Sequence, residues 1–354
     1  MSDTRPPTAD RAVDAAAVAR GIHHVTAIGG DAQRTVDFYA GVLGLRLVKQ
    51  TVNFDDPGTY HFYFGDATGA PGSILTFFPW GRAARGRVGT GQVAVTALAV
   101  PPASVGFWLE RLVAHGVAHA GPARRFAAGG AGETVVAFED PDGLRLELVG
   151  DPRAARLGGW AAGDAGAPGA VPAEHAVRGV YGVTLWVEDA RETEAALAGP
   201  LGMRRAAAEG DTVRYETVDP DVALGRVVDV RATGAPAAGD TPAGRTGVGT
   251  AHHVAFRTGD DAGELALRGA VMRAGLSATP QVDRQYFRSV YFREPGGVLF
   301  ELATDAPGFA VDEAPDALGT ALRLPPQYEA RRAELARRLP PVVLPGAAPA
   351  GAVA

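Results

Sequence analysis

Alternating apolar and polar positions recur along the chain in a fixed grammar of one strand, one helical stretch and further strands. The first unit opens with a strand over Ile22–Ile28, then a helix from about Gln33 to Leu43 carrying Val36, Phe38, Tyr39, Val42 and Leu43. Asp31 suits the N-cap, because its carboxylate can accept from free backbone N–H groups, and Gly44 can end the helix in a left-handed conformation. Strands Arg46–Asn53, Tyr60–Gly65 and Ser73–Phe78 complete the unit. A second unit runs from Val93 to Val149, with strand Val93–Val100, helix Ser104–His115 and strands around Thr134–Glu139 and Leu144–Leu148. A third, more weakly patterned, begins at Val180, has a helix over Arg191–Leu197 and ends near Val230. The fourth spans 251–304, with strand His252–Arg257, helix Gly263–Ala274 and a last strand Val298–Ala303.

The pattern predicts an α+β chain of four βαβββ modules, an internal repeat to be recognised before any site is assigned. Modules 1 and 2 give an N-terminal domain, 21–150, and modules 3 and 4 a C-terminal domain, 179–305. The Gly/Ala/Pro-rich stretch within 151–178 reads as the linker. Residues 1–20 read as a disordered leader, with some helix over Val13–Arg20. The segment 306–354 reads as a loop, an amphipathic helix Pro326–Leu339 and a Pro/Ala/Gly-rich disordered tail from 340.

The modules share their punctuation. Each last strand follows a glycine, Gly72, Gly143, Gly225 or Gly297, and four residues on stand Thr76, Glu147, Asp229 and Glu301. Aligning the first strands on their Val-Thr or Val-Ala pairs makes His24, Ala94, Gly182 and His253 equivalent. Four of the chain's eight histidines thus form two pairs, His23-His24 and His252-His253, at the heads of the first and fourth modules. Neighbours along a strand face opposite ways. Only one histidine of each pair can therefore point into the concave face; matching the repeats, together with a family resemblance, makes that His24 and His253, and His23 and His252 then face away or sit at the rim.

Glu301 lies within an apolar strand, on the face of Leu299 and Ala303. An ionised carboxylate there is costly without a compensating cation or donors. If modules 1 and 4 share a cavity, it holds His24, His253 and Glu301, with Thr76 alongside. Pairing 1 with 2 offers only His24 and Glu147, and pairing 3 with 4 offers Asp229, His253 and Glu301. Two imidazoles and one carboxylate with open positions form the facial triad of non-haem iron(II) sites; manganese(II) suits the same donors. The 1/4 pairing is therefore the expectation. Glu147, lacking a histidine partner, reads as a carboxylate paired with an arginine.

Composition removes several function classes. The formal charge of −6, without a basic stripe, argues against nucleic-acid binding. No apolar run reaches the ~20 residues that span a bilayer. The first twenty residues lack a signal-peptide apolar segment, so the cytoplasm is the default compartment. Without cysteine there are no disulfides, thiolate metal sites or cysteine nucleophiles. Homo-oligomerisation stays open.

The βαβββ unit with histidine on its first strand and glutamate on its last resembles the vicinal oxygen chelate superfamily, which includes glyoxalase I, bleomycin-resistance proteins and type I extradiol dioxygenases. The ordered set Ile22–Thr26, Gly30–Gln33, Asp37-Phe38-Tyr39, Val48–Thr51, His252–Arg257, Asp283-Arg284 and Tyr291–Glu294 resembles the hydroquinone ring-cleaving branch over roughly residues 20–340. The resemblance implies two tandem glyoxalase-like domains with curved mixed sheets. It also implies an iron(II)-dependent extradiol-type dioxygenase acting on a hydroquinone- or catechol-type substrate with O2. It implies His24, His253 and Glu301 as metal ligands. Tyr291 becomes a hydrogen-bond donor near a substrate oxygen, Arg284 an anion partner or orienting group, and His23 a proton-transfer residue. Thr26 and Thr76 would touch the substrate. Two other functions use the same fold: a glyoxalase-like isomerase or lyase, and a non-catalytic binder of aromatics or quinones.

Overall fold

The computed structural model describes residues 18–127, 132–160, 170–234 and 241–345. Most of the expected leader, the middle of the linker and the last residues of the tail lie outside them. The strands are β1 (Ile22–Gly29), β2 (Arg46–Val52), β3 (Tyr60–Gly65) and β4 (Ile74–Pro79) in the first module. The second holds β5 (Gln92–Val100), β6 (His119–Arg125), β7 (Glu133–Glu139) and β8 (Arg145–Gly150). The third holds β9 (Gly179–Val187), β10 (Arg204–Glu209), β11 (Thr212–Glu216) and β12 (Val227–Ala232). The fourth holds β13 (Thr250–Gly259), β14 (Val282–Asp283), β15 (Arg288–Arg293) and β16 (Leu299–Thr304).

They form two eight-stranded mixed sheets, ordered β14-β15-β16-β13-β1-β4-β3-β2 and β10-β11-β12-β9-β5-β8-β7-β6. Each sheet takes one module from either half of the chain: modules 1 and 4 build the first, modules 2 and 3 the second. The sheets therefore do not follow the division into residues 21–150 and 179–305, and the 1/4 pairing is present as edge-to-edge strand pairing. β1 meets β13, and β5 meets β9, antiparallel at the middle of each sheet.

Each module supplies a helix: α1 (Ala32–Val36), α2 (Val105–Ala114), α3 (Ala190–Ala198) and α4 (Asp261–Arg273). Asp31, Asp189 and Asp260 cap α1, α3 and α4 by accepting from Arg34, Arg191 and Gly263 backbone N–H groups. The first helix differs from its expectation by switching to π geometry over Asp37–Val42. Val36, Phe38 and Tyr39 are buried there, and Tyr39 Oη reaches Asp140 Oδ2 in the second module at 2.9 Å.

The four punctuating glycines all have positive φ, at 91°, 88°, 68° and 99° for Gly72, Gly143, Gly225 and Gly297. Two of them also knit the sheets together. Ile22 N–H donates to the Gly225 carbonyl, Gly225 N–H to Val180, Val180 N–H to Gly72 and Gly72 N–H to His23, each at 2.7–2.8 Å. A Cβ on Gly225 would fall 2.8 Å from the Ile22 carbonyl oxygen, so glycine is required by both conformation and space.

Four expectations need correction. β6 escaped the sequence because His119–Arg125 is largely exposed and contains Pro122; as an edge strand it needs no apolar alternation and tolerates proline. The end of the leader is anchored, with Ala19 buried and bonded to Leu201 and Arg20 bonded to Arg257. The first residues after 340 are also placed rather than disordered, since Val343 exchanges two hydrogen bonds with the Gln33 side chain at 2.7 and 2.8 Å. The expected C-terminal helix is a 3-10 stretch, Pro326–Arg331, followed by α5 (Arg332–Arg338) with Leu335 buried. Among the described residues no helix is long and apolar enough to cross a membrane.

Candidate metal centre

Three adjacent strands of the first sheet, β16, β13 and β1, bring the site together. His24 lies opposite Ala255, and Ala255 opposite Glu301, while His253 lies opposite Thr26. Directly opposed residues share a face. Ala255, with its single methyl, therefore leaves the space across which the His24 ring and the Glu301 carboxylate meet. Glu301 Oε2 is 3.3 Å from His24 Nε2 and 2.8 Å from His253 Nε2. One donor atom from each residue lies within 4.8 Å of the other two, and all three residues are buried.

The rings are oriented from behind. His23 Nδ1 is 2.9 Å from His24 Nδ1, and His252 Nδ1 is 2.7 Å from His253 Nδ1. With Nδ1 engaged, the Nε2 atoms of His24 and His253 face the carboxylate. The expectation that His23 and His252 face away or sit at the rim holds for His23, which lies outside the cavity, while His252 is part of the cavity lining. The β1–β13 ladder is irregular at just these residues: Ile22 and His24 oppose Phe256 and Ala255, leaving His23 over, and Thr26 and Ala27 oppose His253 and Ala251, leaving His252 over. A bulge re-aims the extra side chain: His252 joins the cavity wall, whereas His23 stays behind His24 and lines a separate pocket. The second sheet has the same irregularities at Ala94 and Tyr181. Val95, not Ala94, thus stands where His24 does.

The donors suit a divalent cation. Burial alone would raise the Glu301 carboxyl, but His24 and His253 hold it well below the usual range. Its Oε1 accepts from Ser289 Oγ, whereas Oε2 is buried and takes a directed hydrogen bond from neither imidazole. A buried anionic oxygen flanked by two ring nitrogens, with no donor aimed at it, is the environment a metal ion completes. Burial pushes His253 down against the opposing pull of Glu301, and pushes His252 down to about 3.

The three residues line a cavity of about 360 Å³. Phe54, Phe78, Trp80 and Phe287 supply apolar walls, and Thr26, His61, Tyr63, Arg284 and Tyr291 supply polar groups. Tyr291 stands opposite Glu301 in the β15–β16 ladder, and its hydroxyl accepts from Arg284 Nε at 3.1 Å. Arg284 also reaches Asp55 at 3.2 Å, so it joins the cavity to its rim. Thr26 faces the cavity, but Thr76 does not line it; Thr76 is fully buried behind, bonded to Thr26 and His61. His23 likewise lies behind His24, with its ring 5.1 Å from that of Phe287.

Sequence reasoning missed His61 and Ser289, and left open whether His252 faces away or sits at the rim. His61 shares its strand face with Tyr63, which stands opposite Thr76, so alternation within β3 could have found it. Ser289 precedes Tyr291 by two positions on β15 and was open to the same argument. His252 required knowledge of the bulge.

The second sheet shows what the same framework does without histidines. Glu147 and Asp229 occupy the positions of Thr76 and Glu301, and two arginines answer them. Arg125 pairs with Glu147 at 2.8 Å and with Glu133; Arg214 pairs with Asp229 and Glu133, both at 2.7 Å. The Tyr181 hydroxyl bonds Glu133, and the Arg214 guanidinium lies 3.8 Å from the Phe126 ring centre. Glu147 is thus arginine-paired, as expected.

A curved sheet built of paired βαβββ modules around two histidines and a glutamate defines the class, and the comparisons agree with it. The Glyoxalase/Bleomycin resistance protein/Dioxygenase superfamily model matches residues 21–148. The chain is 45% identical over 323 residues to the provisionally named ring-cleaving dioxygenase MhqO of Bacillus subtilis, covering 91% of this chain and 96% of that protein. It is 32% identical over 331 residues to a chlorohydroquinone/hydroquinone 1,2-dioxygenase of Sphingobium indicum, covering 92% and 97%. A solved Bacillus subtilis structure, provisionally titled a dioxygenase, superposes with a TM-score of 0.84 at 43% identity, covering 92% of this chain and 98% of that one. Glyoxalase I of Zea mays shares the fold, with a TM-score of 0.55 at 16% identity and coverage of 80% and 92%. The chain belongs to the glyoxalase/bleomycin resistance protein/dioxygenase superfamily.

Proposed function

We propose that the chain is an iron(II)-dependent, extradiol-type dioxygenase that opens a dihydroxylated aromatic ring of the hydroquinone type, with both atoms of O2 entering the product. The observation that carries this reading is the convergence of His24 Nε2, His253 Nε2 and Glu301 Oε2 at the base of an aromatic-walled cavity. The names of the full-length relatives point the same way. His24, His253 and Glu301 would hold the iron, which when bound supplies a Lewis acid that favours the substrate phenolate and a redox centre for O2.

The chain's own groups do the rest. Phe54, Phe78, Trp80 and Phe287 bind the ring and exclude water. His23 and His252 fix the two ligand imidazoles, and Ser289 holds the far carboxylate oxygen. Burial pushes the Tyr291 hydroxyl up, outweighing the opposing Arg284 guanidinium, so it stays protonated as a donor toward a substrate oxygen. Arg284 supplies the positive charge that favours an anionic substrate. Two histidines with one carboxylate also argue against a lyase, whose metal chemistry favours a carboxylate-richer set.

Anaerobic reconstitution with iron(II), then oxygen uptake across hydroquinones and catechols, tests the reading. One O2 consumed per ring opened is expected, with iron exceeding manganese. No uptake with any diol at full iron loading would overturn it. Tyr291→Phe should lower kcat by about 10²-fold while iron content holds, because it removes a proton donor and no ligand. Loss of iron in step with activity would instead make Tyr291 part of the metal's support.

A further inference from the structure

A line of hydrogen bonds crosses the wall built by β3, β4 and β1, and the chemistry above makes no use of its continuity. Tyr63 Oη lies 2.8 Å from His61 Nδ1, and His61 Nε2 lies 2.8 Å from Thr76 Oγ1. Thr76 Oγ1 in turn lies 3.0 Å from Thr26 Oγ1. Tyr63, His61 and Thr26 face the cavity, whereas Thr76 is buried behind them. The line therefore leaves the cavity at Tyr63 and returns to it at Thr26, two residues from His24. Tyr63 stands opposite Thr76 as Tyr291 stands opposite Glu301, so the two tyrosines are counterparts in the paired modules. Every link can run in either direction. A hydroxyl both donates and accepts, and the two directions correspond to the two neutral tautomers of His61.

We propose that Tyr63, His61, Thr76 and Thr26 form a proton shuttle that moves a proton between two oxygens of the reacting substrate. A substrate hydroxyl gives its proton to Tyr63 Oη as the Tyr63 proton passes to His61 Nδ1. The proton on His61 Nε2 passes to Thr76 Oγ1, that of Thr76 to Thr26 Oγ1, and that of Thr26 to a basic substrate oxygen beside it. One O–H bond breaks at the substrate and one forms there. Each of the four residues ends neutral, with its hydrogen bonds reversed. Exchange with solvent as product leaves restores the starting direction.

Burial pushes the His61 imidazole well below its ordinary value, with His24 adding to the shift. That suits a ring which passes a proton without storing one. Burial likewise raises Tyr63 well above its ordinary value, so it remains a hydroxyl. The inference rests on the dioxygenase reading, since it needs a substrate with both a hydroxyl and a developing basic oxygen.

The test uses iron-loaded protein with the best diol substrate found for the wild type. Thr76→Val keeps the side chain's shape and cuts the one link that does not face the cavity. It should lower kcat on the order of 10²-fold, with KM within about twofold and iron content unchanged. The wild-type proton inventory, kcat against deuterium fraction, should be curved, as several protons move together; in Thr76→Val it should be linear. Thr76→Ser should restore both. Should Thr76→Val fail to fold, Tyr63→Phe cuts the line at its end and should give the same loss of kcat and of curvature. Either variant folded, iron-loaded and as fast as the wild type would overturn the shuttle alone. A wild-type chain inert toward every diol would overturn the dioxygenase reading and the shuttle with it.

Discussion

Glu301→Ala should abolish metal-dependent oxygen consumption, a fall of about 10³-fold or more, in the manner of groups that act only as a set. His253→Ala should do the same. Each removes one donor from a site offering a single atom from each of three residues, and the remaining pair cannot hold the ion's face. Folding should survive. The ladders that carry Glu301, to β13 and β15, are backbone interactions. Iron per chain by elemental analysis, oxygen uptake and a denaturant midpoint distinguish the cases. Either variant with full iron and full activity would sink the triad.

The largest expected effect on stability lies in the other sheet. Arg214→Met should destabilise the fold by about 3–5 kcal/mol, the cost of leaving buried carboxylates without their partner. Arg214 and Asp229 have side chains only 6% and 4% exposed, and Glu133 is 10% exposed, so solvent does little to screen the loss. The sign with pH follows from Glu133. Burial would raise its carboxyl, but Arg214 and Arg125 hold it below the ordinary value. In the wild type that contribution is present above the unfolded carboxylate value of about 4.3 and is lost as pH falls through the lower folded value. The variant has lost the main source of the depression, so its deficit should be greatest near neutral pH and narrow toward pH 4. Urea unfolding of both proteins across that range measures it. A deficit independent of pH, or below about 1 kcal/mol, would mean that the arginine serves packing rather than charge.

Much of this architecture was legible because repetition amplifies weak signals. A strand histidine alone says little; two histidine pairs at matching places, with glycines fixing the last strands, singled out modules 1 and 4 as partners. Register then set His24, Ala255 and Glu301 in one row. The illegible part came from departures from period two. The bulges at His23 and His252 add one residue to one strand against its neighbour, and no local composition announces them. The Val-Thr pairs of the first and second modules also stand one residue out of step, which put Ala94 rather than Val95 beside His24. β6 was hidden because an exposed edge strand has no buried face to record. Thr76 was placed correctly in its row, yet the fold sets it behind His61, a matter of depth that a strand pattern does not encode.

The two sheets also impose an order in time. Their strands close like nested brackets: β5 finds β9 across a single linker, whereas β1 waits for β13, encoded more than two hundred residues later. At about 5–20 residues per second on the ribosome, the inner pair of modules can form while β1, β3 and β4, with their buried Phe62, Phe64 and Phe77, still lack half their sheet. Glu301 emerges last of all. The newborn chain thus passes tens of seconds with an unpaired apolar edge. Slow synthesis or C-terminal truncation should send it to chaperones or aggregates well before any effect on catalysis could be seen.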